Sequence, residues 1–146
     1  MSSDKIKHTP LTNTRVDIKI KLALLWTSLM FLYIYADYFR LMTPEKLDNM
    51  MNLQTPMGPT TPELLVIFSG ILIIPALMIV LSIMLPAKIN KWMNMVVATI
   101  YASMSVMIIS SSMGVEWQNF FVLFNVVELL VFTMIVVQAW KWPRNK

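Results

Sequence analysis

Apolar positions in this chain neither alternate nor recur as a narrow stripe; they fill whole segments. Four runs, 22–42, 64–85, 92–112 and 117–140, are almost continuously apolar. Each is about 20 residues or longer, enough to cross a hydrocarbon layer roughly 30 Å thick. Backbone groups in lipid must be satisfied within their own segment, so runs of this length predict helices rather than strands. Polar residues punctuate the runs. Thr61-Pro62-Glu63 reads as a helix cap, a proline at the first helical position and an acid in the first turn. Pro86 stops the second run ahead of a basic turn, Lys88-Ile89-Asn90-Lys91. Gly114 separates the third run from the fourth, and Pro143 closes the last. Thr43-Pro44-Glu45 repeats the cap pattern, and Leu47, Met50 and Met51 then share one side. This predicts a short amphipathic helix lying on the membrane surface in the first outer loop. Thr55-Pro56-Met57-Gly58-Pro59 reads as the turn leading back into the second span.

Composition agrees with the pattern. Hydrophobic residues make up 57% of the 146, charged residues 14%, and the mean hydropathy is +0.63. A soluble domain carries about a quarter charged residues, and a disordered chain has the opposite balance. The expected architecture is all-α: a single integral-membrane four-helix bundle over 1–146, preceded by a basic tail, 1–21. A cleavable signal peptide is the competing reading of the first run. The long tail, Ile34 at the −3 position to Ala36, and the apolar continuation to Met42 favour a retained helix.

Charge sets the expected orientation. With both termini inside, Lys5, Lys7, Arg15, Lys19, Lys21, Lys88, Lys91, Lys141, Arg144 and Lys146 all face the cytoplasm. Of the twelve basic residues, that leaves only Arg40 and Lys46 outside. The net charge of +4 is therefore read as membrane orientation in a bacterial inner membrane, not as affinity for nucleic acid. Trp26, Trp92, Trp117, Trp140 and Trp142 are read mostly as interfacial anchors.

The stretch from Lys21 to Phe39, above all Tyr33-Ile-Tyr-Ala-Asp37, resembles the opening span of a family of short bacterial membrane proteins, a domain of unknown function with four predicted spans. The proline-rich outer loop, the proline-terminated second span, Ala-Thr-Ile-Tyr101 and Val-Glu128-Leu extend the likeness along the chain. The resemblance implies the four-helix architecture and no catalytic residues. A likeness to DoxX-type oxidoreductase-associated proteins is one of topology only.

Candidate chemistry is narrow. There are no cysteines and one histidine, His8, in the tail, so thiolate chemistry and a multi-imidazole metal site are not available within one chain. The three glycines, Gly58, Gly70 and Gly114, form no phosphate-binding loop. No catalytic residue, metal or cofactor is expected, and an enzyme is the least expected class. An ionisable group at a span centre costs about 2.5–3.5 kcal/mol on insertion scales, which singles out two acids. Asp37 lies about 7 Å below the outer end of its span, with Arg40 three residues on, and the two are read as a structural ion pair. Glu128 lies about 16 Å into the last span, with no cation on its own helix. Tyr101 and Tyr33 fall at compatible depths, and Asn125 precedes Glu128 by about one turn on the same helix. Glu128 is expected as a neutral acid, hydrogen-bonded to a tyrosine either as interhelical glue or as a proton-titrating, ligand-polarising group. Pro75 leaves a carbonyl free at mid-depth and can kink its helix, either opening a pocket or packing as a kink with no function. Met84, Met93, Met95, Met104 and Met107 are candidate cavity walls or ordinary apolar residues. The small residues Ala98, Ala102, Ser105 and Ser110 favour close helix packing.

Three roles remain open on the sequence. One is a binding or sensing module holding an apolar ligand, lipid or quinone near Glu128. The second is a proton- or ion-conducting oligomer using Glu128 and Asp37. The third is a structural subunit of a larger membrane complex. The expected partners are the lipid bilayer, a small apolar ligand, and a homo-oligomer or larger assembly.

Overall fold

The computed structural model describes residues 15–55 and 58–143. The expectations for His8, Lys5, Lys7, Arg144 and Lys146, and for the Pro56-Met57 centre of the outer turn, lie outside them. The order of elements is α1 (Ile18–Arg40), α2 (Lys46–Met51), β1 (Gln54–Thr55), β2 (Gly58–Pro59), α3 (Pro62–Met84), α4 (Ala87–Ser112), a 3-10 turn (Glu116–Gln118) and α5 (Asn119–Trp140). The four segments Ile18–Arg40, Pro62–Met84, Ala87–Ser112 and Glu116–Trp140 are long and apolar enough to cross a membrane. The strands form one two-stranded antiparallel pair, Gln54 opposite Pro59 and Thr55 opposite Gly58.

Helix ends follow local chemistry, with two exceptions to the sequence reading. Asp17 caps α1, its carboxylate accepting from the Lys19 backbone N–H at 2.7 Å. Thr61 caps α3 by accepting from the Leu64 N–H at 3.2 Å, with Pro62 in the first turn as expected. Gly114 adopts φ +85°, a conformation that favours glycine, between α4 and the 3-10 turn. Thr43, by contrast, caps nothing. Its hydroxyl donates back to the Arg40 carbonyl at 2.7 Å, and α2 starts from Glu45 at φ 64° without a side-chain cap. The basic segment after Pro86 is also not a turn. Pro86 leads directly into α4, so Lys88 and Lys91 lie in its opening turns. The short helix expected after the first span is present as α2, and Leu47, Met50 and Met51 on it are all exposed.

The core draws on all four long helices: Leu22, Trp26 and Leu29 of α1, Met78 of α3, Ala98 and Tyr101 of α4, and Phe132 and Ile135 of α5. Helix α1 packs along α3 and α5, and α4 packs along α5. Helices α3 and α4, although consecutive, meet much less. The polarity of α4 is inverted relative to a soluble helix. Asn90, Asn94, Ala98, Tyr101, Ser105 and Ser112 are its buried side, whereas Trp92, Val96, Ile100 and Met107 are exposed. In water that arrangement would bury polar groups and expose apolar ones, both unfavourably. Against lipid it is the favourable orientation.

Trp26 departs from the interfacial role read for it. It is fully buried and its Nε1–H donates to Asn94 Oδ1 at 2.7 Å. The Asn94 oxygen also accepts from Ser82 Oγ at 3.2 Å. Its amide donates to the Asn90 carbonyl at 2.9 Å and to Asn90 Oδ1 at 2.6 Å, and Asn90 Nδ2 donates to the Ser82 carbonyl. Both capacities of each Asn94 polar atom are used, and the cluster ties α1, α3 and α4 together near the end where α3 finishes and α4 begins. Trp92, Trp117 and Trp140 are exposed, as anchors are. Among the described residues, the same end carries Arg15, Lys19, Lys21, Lys88, Lys91 and Lys141. Lys19 Nζ donates to the Ile83 carbonyl at 3.1 Å and Lys91 Nζ to the Trp140 carbonyl at 3.0 Å. Each places a cation on the last turn of α3 or α5, where the helix dipole favours positive charge.

Asn94→Leu strands the Trp26 N–H, the Ser82 hydroxyl and Asn90 Oδ1 at once. Equilibrium unfolding in detergent should show a loss of about 3 kcal/mol. The exposed Ser110→Ala should stay within about 0.5 kcal/mol of the parent.

Candidate functional site

A cavity of about 420 Å³ lies in the half of the protein nearer α2, lined by all four long helices. Its polar border is Tyr33, Asp37 and Arg40 from α1, Tyr101 and Ser105 from α4, and Asn125 and Glu128 from α5. Ala36, Phe68, Ile71, Leu72, Met104, Ile108 and Phe121 form the apolar walls. The four residues singled out for ligand or proton chemistry, Glu128, Tyr101, Tyr33 and Asn125, thus border one space. So do both members of the Asp37–Arg40 pair.

Two features of the sequence make this space. The first is Pro75, buried inside α3. Lacking an N–H, it cannot satisfy the carbonyl four residues back, which is that of Ile71. The Tyr101 hydroxyl takes up that carbonyl instead, donating at 2.6 Å across from α4. The second is the polar stripe of α4, which turns Tyr101 and Ser105 inward together, four residues apart on one face. Tyr101 also joins an aromatic cluster of the core. The Tyr101 and Phe132 rings lie 6.3 Å apart, and Phe132 meets Trp26 edge-on at 6.1 Å.

The pairings inside the cavity differ from those read in the sequence. Glu128, 3% exposed, is bonded to Ser105, whose hydroxyl donates to Glu128 Oε2 at 3.2 Å. Tyr101 is committed to Ile71 and is not the partner of Glu128. Ser105 was legible as a member of the α4 stripe, but its partner was not, because helix rotation about α5 decides which stripe residue meets the acid. Asn125 Nδ2 donates to the Phe121 carbonyl one turn back at 2.9 Å. Asn125 Oδ1 is buried with no partner among the described residues. Arg40 does not close an ion pair on Asp37. Its guanidinium carbon lies 4.8 Å over the centroid of the Phe121 ring, a cation–π contact to α5. Asp37 is exposed at the rim of the cavity, and the two charges act on each other only through space.

The methionines play a smaller part than their number suggests. Met104 borders the cavity, Met93 packs on the core, and Met84 and Met107 are exposed. Ala98 and Ser105 of the small-residue side are buried, whereas Ser110 is exposed and donates to its own helix at Val106. Phe68, Leu72 and Met104 border the cavity and are also exposed, so the cavity reaches the outer surface where α3 and α4 separate. Among the described residues no three of His, Cys, Asp and Glu gather closely enough to hold a metal ion.

The Pro75–Tyr101 coupling can be isolated by a double-mutant cycle. Tyr101→Phe should cost about 1–3 kcal/mol in detergent unfolding, because the Ile71 carbonyl loses its donor. In a Pro75→Ala background the restored backbone N–H reaches that carbonyl, and the same change should cost measurably less. Equal costs in both backgrounds would separate the tyrosine from the proline.

No curated protein and no solved structure matches the chain. The resemblance carried by Tyr33–Asp37 and the rest of the chain is borne out: a model described as a family of unknown function (DUF6326) matches residues 12–146, and the chain belongs to that family.

Proposed function

We propose that this protein is a four-helix bundle of a bacterial inner membrane, with both termini cytoplasmic, that holds a small apolar ligand in the cavity beside Glu128. The observation that carries the reading is the cavity itself. Its volume, about 420 Å³, falls in the range of small-molecule sites. Its walls are largely apolar, and a few polar groups converge on one side, the arrangement that fixes the orientation of a mostly apolar molecule. The opening between α3 and α4 supports entry from the hydrocarbon phase, as a lipid or quinone would require. An intramembrane acid is by default a functional-site candidate. In this reading Glu128 and Asn125 face the polar part of the ligand, while Tyr33, Asp37 and Arg40 border its outer end.

Conduction is the second reading, favoured by the presence of Asp37 and Glu128 on one cavity. Against it within a single chain stands the fully buried layer of Leu29, Trp26 and Phe132 on the cytoplasmic side of Glu128. Continuing a path would require a second subunit.

Glu128→Gln should preserve the fold, because an amide can accept the Ser105 hydroxyl as the acid does. Native mass spectrometry of protein released from nanodiscs should show a retained apolar adduct on the parent, reduced about tenfold or more in Glu128→Gln. The same protein in liposomes should pass no protons. Proton flux that disappears in Glu128→Gln, with no adduct, would instead establish conduction. Neither signal, together with a stable larger complex, would point to a structural subunit.

Orientation is tested by labelling. The parent has no cysteine, so Lys88→Cys and Gln54→Cys each introduce a single thiol at an exposed position. A membrane-impermeant maleimide added to intact cells should label Gln54→Cys alone, and Lys88→Cys only after the membrane is opened. The reverse pattern would overturn the charge argument.

A further inference from the structure

One buried acceptor bordering the cavity is unmatched among the described residues, and it says which group a ligand brings to it. The two hydroxyls from α4 are already spent as donors. Tyr101 O–H is held by the Ile71 carbonyl at 2.6 Å, and Ser105 O–H by Glu128 Oε2 at 3.2 Å. The Tyr33 hydroxyl and the Arg40 guanidinium, the latter over the Phe121 ring, also border the cavity and keep donors to offer. The Asn125 acceptor is in a different condition. Asn125 is 1% exposed, and its Oδ1 has no partner among the described residues, although the same side chain uses its amide on Phe121. Asp37 adds a carboxylate at the rim. The comparison with Asn94 is direct. That asparagine is equally buried, sits on the inward side of its helix, and has both lone pairs of its oxygen occupied, by Trp26 and Ser82. A buried carbonyl oxygen left unmatched is unfavourable, and native proteins leave few of them.

We infer that Asn125 Oδ1 is a ligand-binding acceptor, and that the cavity takes an amphiphile whose apolar body lies against Phe68, Leu72 and Met104 and whose head donates a hydrogen bond, as a hydroxyl or an amine does. The inference rests on the ligand-binding reading above and adds the chemistry of the head. A head that only accepts, such as an ether or an ester, leaves the Asn125 oxygen unmatched.

The test uses the full chain in nanodiscs and three probes of one length: 1-decanol, decylamine and decyl methyl ether. Equilibrium dialysis against protein-containing and empty nanodiscs separates protein-bound probe from probe dissolved in lipid. The alcohol and the amine should each bind the parent about tenfold more tightly than the ether, the factor expected for one hydrogen bond to a buried acceptor. Asn125→Leu should bring the three affinities to within about twofold of one another, with unchanged or higher thermal stability, since it removes an unmatched buried acceptor. An independent readout does not depend on that variant folding. With the asparagine side-chain carbonyls isotope-labelled, 1-decanol should shift one carbonyl stretch to lower wavenumber, and the ether should shift none. Equal binding of all three probes to the parent would overturn this inference and leave the binding reading standing. Binding of none would overturn both.

Discussion

An asparagine, a glutamate or a tyrosine on a helix surrounded by lipid has only one direction in which to find a partner, and that is inward. The distribution of polar and apolar sides in this protein is the one this constraint favours. The buried residues of helix α4, Asn90, Asn94, Ala98, Tyr101, Ser105 and Ser112, are polar or small, and its outer side is apolar. Its rotation is set by the need to bring those polar atoms against others. Near the end where α3 meets α4 the requirement is met completely: Trp26, Ser82, Asn90 and Asn94 exchange hydrogen bonds in a closed cluster. A closed polar cluster has discrete partners and directions, so it fixes the relative rotation of three helices in a way that apolar packing alone does not.

In the other half of the protein the same inward rule produces a cavity instead. The difference originates at Pro75. By withholding an N–H from Ile71 it creates an acceptor inside the structure, and Tyr101 reaches across to it. That contact keeps Tyr101 away from Glu128, leaves Ser105 as the partner of the acid, and leaves Asn125 Oδ1 unmatched. A residue usually regarded as a helix breaker thus determines, through one carbonyl, which polar groups are satisfied and which remain available.

The charged residues follow a separate logic. Lys19 and Lys91 place their ammonium groups on the final carbonyls of α3 and α5. Lysines at that end therefore stabilise helix termini as well as contributing to the asymmetry of charge along the chain. At the opposite end Arg40 lies against an aromatic ring rather than a carboxylate. A partly desolvated guanidinium is accommodated by a ring face without the geometric demands of a buried ion pair.

Four long apolar segments, the cap at Thr61, the break at Gly114 and the choice of Asp37, Glu128, Tyr101, Tyr33 and Asn125 as residues of interest were all legible in the order of amino acids. Segment length, local capping and the cost of a polar group in an apolar run are properties of short stretches of chain, and they do not require knowledge of what lies opposite. Pairing was not legible. That Trp26 would leave the interface for Asn94, that Glu128 would meet Ser105 and not a tyrosine, and that Arg40 would stack on Phe121 depend on how each helix is rotated about its axis. One residue of difference along a helix turns a side chain by about 100°, so depth counted along the chain places a group at the right level without saying which neighbour it faces. Only the packing of four helices together decided that, because it alone sets which inward polar groups face one another.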